Sequence, residues 1–310
     1  MKKLILILSA AILSAGVAFA QDVAEATATY NSGAEALQTG DKASAVVYFK
    51  KALSQAEACG EAGAELVGKC KSAIPQVVLS AAKDAFNDKD FDAALAKVEE
   101  AKKAAVEYGA EDVKVEAESL VPTILMQKGN TAFAAKDFAG AIEPYKQVVA
   151  ADTTNGTAAF RLGAALLSTG KTDEAVAMLE QAARNGEEKS ANKQLSTIFL
   201  KKANAASKAQ KYADAIAAAD KSNSYLENAN AYLIKGSASQ KLNKADDAIA
   251  AYEKFLSLDP NNKNAAAYVF TLGVLYQQKG LKDKAKEAYN KVLSDPKYGA
   301  NAKAALATIK

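Results

Sequence analysis

The sequence has 310 residues, of which 50% are hydrophobic and 24% charged, and its formal net charge is +3. The chain is long enough to bury a core, and its small net charge creates no strong field that would attract nucleic acid or an anionic membrane. It contains no histidine, which excludes Ser–His and Cys–His nucleophile pairs and most catalytic zinc sites.

The first twenty residues have the pattern of a bacterial export signal. Two lysines precede an apolar run, and Ala18-Phe19-Ala20 provides the small-x-small pattern that signal peptidase recognises. Residues 4–20 are short for a membrane-spanning helix, which argues against the alternative of an uncleaved anchor. We expect cleavage between Ala20 and Gln21, a mature chain without an integral membrane segment, and localisation in the periplasm or cell envelope.

The rest of the chain has helical periodicity. Apolar residues three and four positions apart recur from Val23 to the end, and alternating runs rich in Val, Ile and Thr are nearly absent. Alanine, leucine, lysine and glutamate are abundant, and all four favour helix. The sequence therefore predicts an all-α protein.

One spacing pattern occurs seven times. An alanine recurs at a reference position, at Ala45, Ala94, Ala141, Ala175, Ala215, Ala248 and Ala285. The residue twelve positions earlier is always small: Gly33, Ala82, Gly129, Gly163, Ala203, Gly236 and Gly273. The residue four positions later is mostly bulky: Phe49, Val98, Tyr145, Leu179, Ala219, Tyr252 and Tyr289. Small facing residues let two helices approach closely, and we expect the bulky residue to fill the groove against the next helix pair.

This pattern resembles the tetratricopeptide repeat (TPR), a pair of antiparallel helices of about 34 residues. The copy at 229–262 is the fullest match and has Pro260 where the repeat often has proline. The resemblance implies a right-handed superhelical solenoid over residues 21–310 with a capping helix at 298–309. Its seven repeats are expected at roughly 26–59, 75–108, 122–155, 156–189, 196–228, 229–262 and 266–297.

Extra residues separate some of the copies. The first two spacings between reference alanines are 49 and 47 residues, and the fourth is 40, instead of 34. We expect the extra residues at the ends of the second helices, which would then be longer than usual. The fifth copy departs most from the pattern, because Ala219 replaces its bulky residue.

The two cysteines, Cys59 and Cys70, both lie in the first insertion. On one unbroken helix their backbones would lie about 16 Å apart, too far for a disulfide. A turn at Gly60 and Gly63 would bring them closer, so a disulfide and a pair of buried thiols both remain open. Without histidine they form no plausible zinc site, and we expect no metal.

A segment that resembles a nucleotide-binding loop has the wrong structural context. ALLSTGKT, Ala165–Thr172, differs from the phosphate-binding G-x-x-x-x-G-K-[ST] loop only at its first position. That loop needs a preceding strand, whereas this Gly-Lys pair falls in a turn between two repeat helices. Acidic pairs such as Glu99-Glu100 fall on predicted helices, where charge is usually solvated. We expect no enzymatic activity and no cofactor.

The TPR resemblance also implies a binding surface. In this family the first helix of each pair lines a concave groove, which binds an extended peptide or a partner's helix. The lysine with which the family clamps a peptide's terminal carboxylate is missing from every copy, so this kind of binding is not expected. The alternative for the apolar candidates is that neighbouring helices cover them as core. The candidates are Tyr30, Phe86, Met126, Asn130, Phe133, Phe160, Arg161, Lys201, Asn204 and Phe270.

These observations predict a non-catalytic protein–protein interaction scaffold or assembly adaptor in the bacterial cell envelope, with a protein or peptide partner and no nucleic-acid partner. Two alternatives stay open: a carrier of unfolded exported polypeptides, and an accessory subunit of an envelope enzyme or secretion complex. Residues 21–120 have a net charge of −7 and residues 261–310 of +6. The acidic N-terminal and basic C-terminal ends could therefore bind different partners or associate with each other.

Overall fold

The structure is a computed structural model that describes residues 22–309. Every regular element in that range is helical, which confirms the all-α prediction. None of these helices is both long and apolar enough to cross a membrane. The signal-peptide prediction for residues 1–20 lies outside the described residues.

The described chain divides into two compact units after Asp152. The first contains α1 (22–38), α2 (Lys42–Ala58), α3 (Ala64–Asn87), α4 (Phe91–Tyr108), α5 (Glu111–Ala134) and α6 (Phe138–Ala151). The second contains α7 (Gly156–Ser168), α8 (Thr172–Ala182), α9 (Glu188–Lys208), α10 (Tyr212–Tyr225), α11 (Ala229–Lys241), α12 (Ala245–Leu258), α13 (Ala265–Gln278), α14 (Lys282–Lys291) and α15 (Gly299–Thr308). From α1 to α14, successive helices form pairs joined by tight turns.

Each pair turns through one residue in the left-handed backbone region. Gly40 and Gly170 have φ values of +83° and +80°, a conformation that glycine adopts without steric cost. The equivalent residue is not always glycine: Lys89 and Lys136 both have φ +63°. In the first unit, an aspartate follows this residue and caps the second helix; the Ser44 N–H, for example, donates to Asp41 Oδ1 over 3.0 Å. The turns thus end the first helix and start the second within three residues.

The small and bulky residues of the repeat pattern meet inside each pair. A Cβ atom added at Gly273 would lie 2.6 Å from Tyr289 Cε1, and one added at Gly129 would lie 2.6 Å from Tyr145 Cε1. The bulky ring therefore covers the glycine of its own pair. Tyr252, which covers Gly236 in this way, also stacks on Tyr268 of the next pair with ring centroids 5.6 Å apart, as expected. In the fifth pair both positions are alanine, and Ala203 and Ala219 are fully buried together.

Most of the extra residues lengthen first helices, contrary to expectation. α3 and α5 have 24 residues and α9 has 21, whereas α7, α11 and α13 have 13 or 14. The second helices α2 and α4, with 17 and 18 residues, gain about one turn over the 14 residues of α6. In α3, Leu66, Cys70 and Ile74 are buried four residues apart, so helix formation buries a continuous stripe. That stripe explains why α3 continues through Pro75, a residue that usually breaks helices.

An irregular segment joins α8 to α9. Residues 183–187 leave helical geometry at Asn185 and at Gly186, whose φ is +96°. The Asn185 side-chain amide donates to Thr153 O over 3.1 Å and to Gln181 O over 3.0 Å. These bonds tie the segment to the residues that precede α7, and thereby fix where α9 begins.

The C-terminal helix α15 covers part of the last core cluster. Ala302 and Ile309 are buried in the same cluster as Tyr289 of α14. Tyr298, just before α15, stacks on Phe270 of α13 with ring centroids 5.6 Å apart. Apolar side chains that α13 and α14 would otherwise expose are therefore buried here.

Alkaline pH is expected to destabilise the protein through its buried tyrosines. Burial raises the pKa of Tyr252 to about 12, and burial and a hydrogen bond to Glu253 raise the pKa of Tyr276. The stability that Tyr252 contributes through this shift is complete below the pKa of unfolded tyrosine, about 10, and is lost as the pH rises through its folded pKa. Urea midpoints measured across that range should fall less steeply for Tyr252→Phe than for the wild type. Equal slopes would contradict this assignment.

Candidate functional site

A cleft of about 950 Å³ lies in the second unit, between α9 and the pair α7–α8. Phe160 and Leu167 of α7 form one apolar wall, and Ile198 of α9 lies on the opposite wall. The volume of the cleft falls within the range of roughly 300–1,000 Å³ that is typical of ligand clefts. Its mixture of apolar walls and a few polar groups is typical of a ligand site.

Inserted residues extend the α9 wall of the cleft. The spacing of 40 residues between Ala175 and Ala215 exceeds the usual 34. The extra residues extend α9 at its N-terminal end, to Glu188, and this extension supplies Ser190, Lys193 and Gln194 to the lining. The insertion therefore lengthens the cleft along α9.

The charge of the lining is positive. Lys202 Nζ pairs with Asp173 Oδ1 at 2.9 Å, which neutralises both groups. Lys193 and Lys201 also line the cleft and are exposed, and neither has an acidic partner within residues 22–309. Two uncompensated positive charges therefore face a partly apolar cleft.

Gln194 adds a polar group without a partner. Its Oε1 atom is buried and accepts no hydrogen bond from the described chain. A buried amide oxygen without a donor is energetically costly. A ligand with an N–H group could therefore satisfy Gln194 when the side chain turns toward it.

A polar and aromatic cluster holds the other side of α9 in place. Phe199 stacks on Tyr225 of α10 with ring centroids 5.8 Å apart, and Tyr225 Oη donates to Glu180 of α8. Lys221 lies 4.7 Å from the centroid of the Tyr225 ring. The hydrogen bond from Tyr225, and then the charge of Lys221, lower the pKa of Glu180 below its usual value. Because this cluster links α8, α9 and α10, it restrains α9 beside the cleft.

Only two of the predicted groove residues line this cleft. Phe160 and Lys201 do so, whereas Arg161 and Asn204 are exposed outside its lining. The Asn204 side chain instead donates to Leu200 O over 3.2 Å. Sequence reasoning missed Lys193, Gln194 and Lys202; the longer spacing between the fourth and fifth copies was the signal that could have located the first two.

Other predicted groove residues make packing contacts. Asn130 Oδ1 accepts a hydrogen bond of 2.9 Å from Tyr145 Oη, and Met126 is half-buried on the same helix. Phe86 and Phe133 each pack against a phenylalanine at the start of the next helix, with centroid distances of 6.2 and 5.0 Å. These contacts agree with the alternative that such side chains are core, and a binding role for them stays a prediction.

Phe270 and Tyr30 lie at opposite ends of the described chain. Phe270 packs between Tyr289 and Tyr298, at centroid distances of 5.5 and 5.6 Å, and is half-buried, so its role in binding stays a prediction. The ring centroids of Tyr30 and Phe49 lie 4.9 Å apart, and Tyr30 lines a second cleft, of about 500 Å³, between α1 and α3. The charges of that cleft cancel, because Lys69 pairs with Glu65 at 2.7 Å.

Cys59 and Cys70 carry free thiols in the structure. Gly60, with φ +58°, starts the turn that was expected between them, but both side chains are buried. Cys59 Sγ contacts Gln55 O at 3.2 Å, and burial raises the pKa of the Cys70 thiol. In the structure the two cysteines are therefore buried thiols, and a disulfide between them in the oxidised protein stays a prediction.

Comparison with known families gives a consistent match. Two family models, both described as tetratricopeptide repeat, together match just over half of the sequence. One covers residues 132–195, and the other covers 26–59, 229–262 and 266–294. No curated protein matches the sequence.

Several solved structures are similar to parts of this chain. A MamA protein is 26% identical over 59% of this chain and 96% of its own, with a TM-score of 0.35. MamA 41-end from Desulfovibrio magneticus RS-1 is 18% identical over 56% of this chain and 94% of its own, with a TM-score of 0.32. YrrB, described as a TPR protein with an unusual peptide-binding site, is 20% identical over 58% of this chain and 91% of its own, with a TM-score of 0.32.

Proposed function

Because this chain belongs to the tetratricopeptide repeat proteins, we propose that it is a non-catalytic protein-interaction scaffold or assembly adaptor of the bacterial cell envelope. The observation that carries the proposal is the open cleft beside α9, which combines apolar walls with two unpaired lysines, Lys193 and Lys201. The absence of histidine from the sequence supports a binding role rather than catalysis. The export pattern at the N-terminus supports the envelope.

The cleft suits a protein partner because its walls are helices held by tertiary contacts. The irregular segment 183–187 is bonded to the start of α7, and the Phe199–Tyr225 cluster restrains α9 from its other side. A preformed site loses little conformational entropy when it binds, so modest contacts can give specific affinity. The protein would then hold one partner segment in a fixed place relative to the other helices of the second unit.

The test is cross-linking in the native cell, followed by mass spectrometry of the proteins that co-purify. The Phe160→Glu variant places a negative charge on the apolar wall of the cleft. Ala205→Phe is a second variant, which narrows the cleft without removing a buried side chain. Val106→Glu is the matched control. It also replaces an apolar residue by glutamate, but on α4, where Val106 is 68% exposed.

One dominant partner, lost from Phe160→Glu and Ala205→Phe but kept by Val106→Glu, supports the scaffold. A broad mixture of unrelated polypeptides would instead favour a carrier of exported chains. An unchanged partner list for all three variants would mean that the cleft is not the interaction site. Circular dichroism of each variant checks that the helices are retained.

Export is tested by the N-terminus of the protein from its native host. We expect the purified chain to begin at Gln21, because the small-x-small pattern ends at Ala20. Intact mass and the N-terminal peptide report this directly. A mature protein that retains Met1 would contradict signal cleavage, and fractionation with the cytoplasmic proteins would contradict the envelope location.

A further inference from the structure

The cleft is long enough for an extended peptide. Its α9 wall runs from Ser190 to Ala205, fifteen residues along one helix. At about 1.5 Å per residue this wall is roughly 22 Å long. An extended peptide rises about 3.3 Å per residue, so about seven residues would fit along it. The dimensions therefore favour an elongated segment over a compact small molecule.

The two unpaired lysines set a spacing along that length. Lys193 and Lys201 lie eight residues apart on α9 and both line the cleft. Eight helical residues cover about 12 Å, and four residues of an extended chain cover about 13 Å. Carboxylates at positions i and i+4 of an extended peptide would therefore match the two ammonium groups.

The apolar walls of the cleft determine which type of peptide residue fits between the two carboxylates. In an extended chain, side chains i, i+2 and i+4 point to the same side. Between Lys193 and Lys201 the α9 wall presents Ile198, and Phe160 lies on the facing wall. An apolar side chain at i+2 would enter this part of the cleft, while the side chains at i+1 and i+3 would face away from it.

Building on the proposed scaffold function, we infer that the α7–α9 cleft binds an extended acidic segment of a partner protein with the pattern Glu-x-apolar-x-Glu. Lys193 and Lys201 pair with the two carboxylates, and the apolar side chain packs against Phe160 and Ile198. Gln194 Oε1 is buried and lacks a donor in the free protein, and a backbone N–H of the segment can donate to it once the side chain turns toward the cleft. The binding is reversible and involves no covalent step.

Fluorescence anisotropy of labelled heptapeptides, titrated with the full mature chain, tests this pattern. The probe is Gly-Glu-Ser-Leu-Ser-Glu-Gly. Its control, Gly-Glu-Leu-Ser-Ser-Glu-Gly, has the same composition and charge but places leucine on the opposite side of the extended chain. We expect the control to bind about tenfold more weakly, because its leucine stays in water.

Reversing the charge of the two cleft lysines tests their role in binding. The Lys193→Glu/Lys201→Glu variant should lose at least about tenfold in affinity for the acidic probe, because each charge-assisted contact is replaced by repulsion. The same variant should gain affinity for Gly-Lys-Ser-Leu-Ser-Lys-Gly. Lys282→Glu/Lys303→Glu is the matched control, with the same change of charge at exposed lysines of α14 and α15.

Equal binding of the two acidic peptides, wild-type affinity in Lys193→Glu/Lys201→Glu, or no binding of any peptide would each overturn the inference. These results are distinguishable from failure of the scaffold proposal. If the peptides fail but Phe160→Glu still loses its co-purified partner, the cleft binds a different kind of segment. If both experiments fail, the cleft is not a protein-binding site.

Discussion

Replacing Gly273 by alanine is expected to lower the free energy of unfolding by about 2 kcal/mol, although alanine is the better helix former. The added Cβ would lie 2.6 Å from Tyr289 Cε1, closer than such atoms approach in folded proteins. The Tyr289 ring cannot easily move away. It is buried, it packs against Phe270, and its hydroxyl donates to Gln277 Oε1 over 2.9 Å. Overpacking of this kind costs about 1–3 kcal/mol, and we expect the middle of that range here.

The matched control is Gly68→Ala. Gly68 also lies inside a helix, α3, but it is exposed and an added Cβ would have no neighbour within 4 Å. This change should raise stability by up to about 1 kcal/mol, because only the helix preference remains. Urea unfolding followed by circular dichroism measures both variants. If Gly273→Ala were as stable as the wild type, close packing of Tyr289 over Gly273 would be wrong.

Three turn substitutions together are expected to stabilise the protein by about 2 kcal/mol. Lys89, Lys136 and Gln210 have φ values of 63°, 63° and 60°, a region that disfavours side chains with a Cβ atom. All three are exposed, so glycine at these positions removes strain without removing a buried contact. Each change should therefore raise the free energy of unfolding by somewhat less than about 1 kcal/mol.

Gly170→Ala provides the opposite change at an equivalent turn. Its φ is +80° and nothing lies within 4 Å of an added Cβ, so any loss comes from backbone strain alone. We expect a loss of about 1 kcal/mol. The triple variant Lys89→Gly/Lys136→Gly/Gln210→Gly should have a higher urea midpoint than the wild type, and Gly170→Ala a lower one. Movement of both midpoints in the same direction would contradict the assignment of these turns.

The sequence was sufficient to predict the features that repeat. The small residue at Gly273 and the bulky residue at Tyr289 recur at fixed spacings because every pair must solve the same close-packing problem. The turns at Gly40 and Gly170 were also predictable, since glycine favours the left-handed conformation. Lys89 was not, because a lysine carries no local signal for that conformation and adopts it only where the flanking helices impose it.

The repeat spacing showed between which copies the insertions occur, but not which helix of a pair they lengthen. The second repeat was expected to begin at residue 75, whereas burial of Leu66, Cys70 and Ile74 lets α3 begin earlier and continue through Pro75. The cleft beside α9 is a gap between neighbouring pairs, and repeat spacing specifies contacts within a pair rather than gaps between pairs. Phe270 shows the same limit: its position in the repeat favoured a groove, but the rings of Tyr289 and Tyr298 pack around it.

The central claim is that the cleft beside α9 holds a partner protein, and the sites of lysine cross-links test it most directly. A carbodiimide, which joins a lysine amine to a carboxylate in direct contact with it, is applied to native cells, and mass spectrometry identifies which lysines of this chain are joined to another protein. Lys193 and Lys201 line the cleft, whereas Lys282 and Lys303 are exposed on α14 and α15 outside it. We expect most links to the dominant partner at Lys193 and Lys201. Links concentrated at Lys282 and Lys303, or spread evenly over all exposed lysines, would contradict the claim.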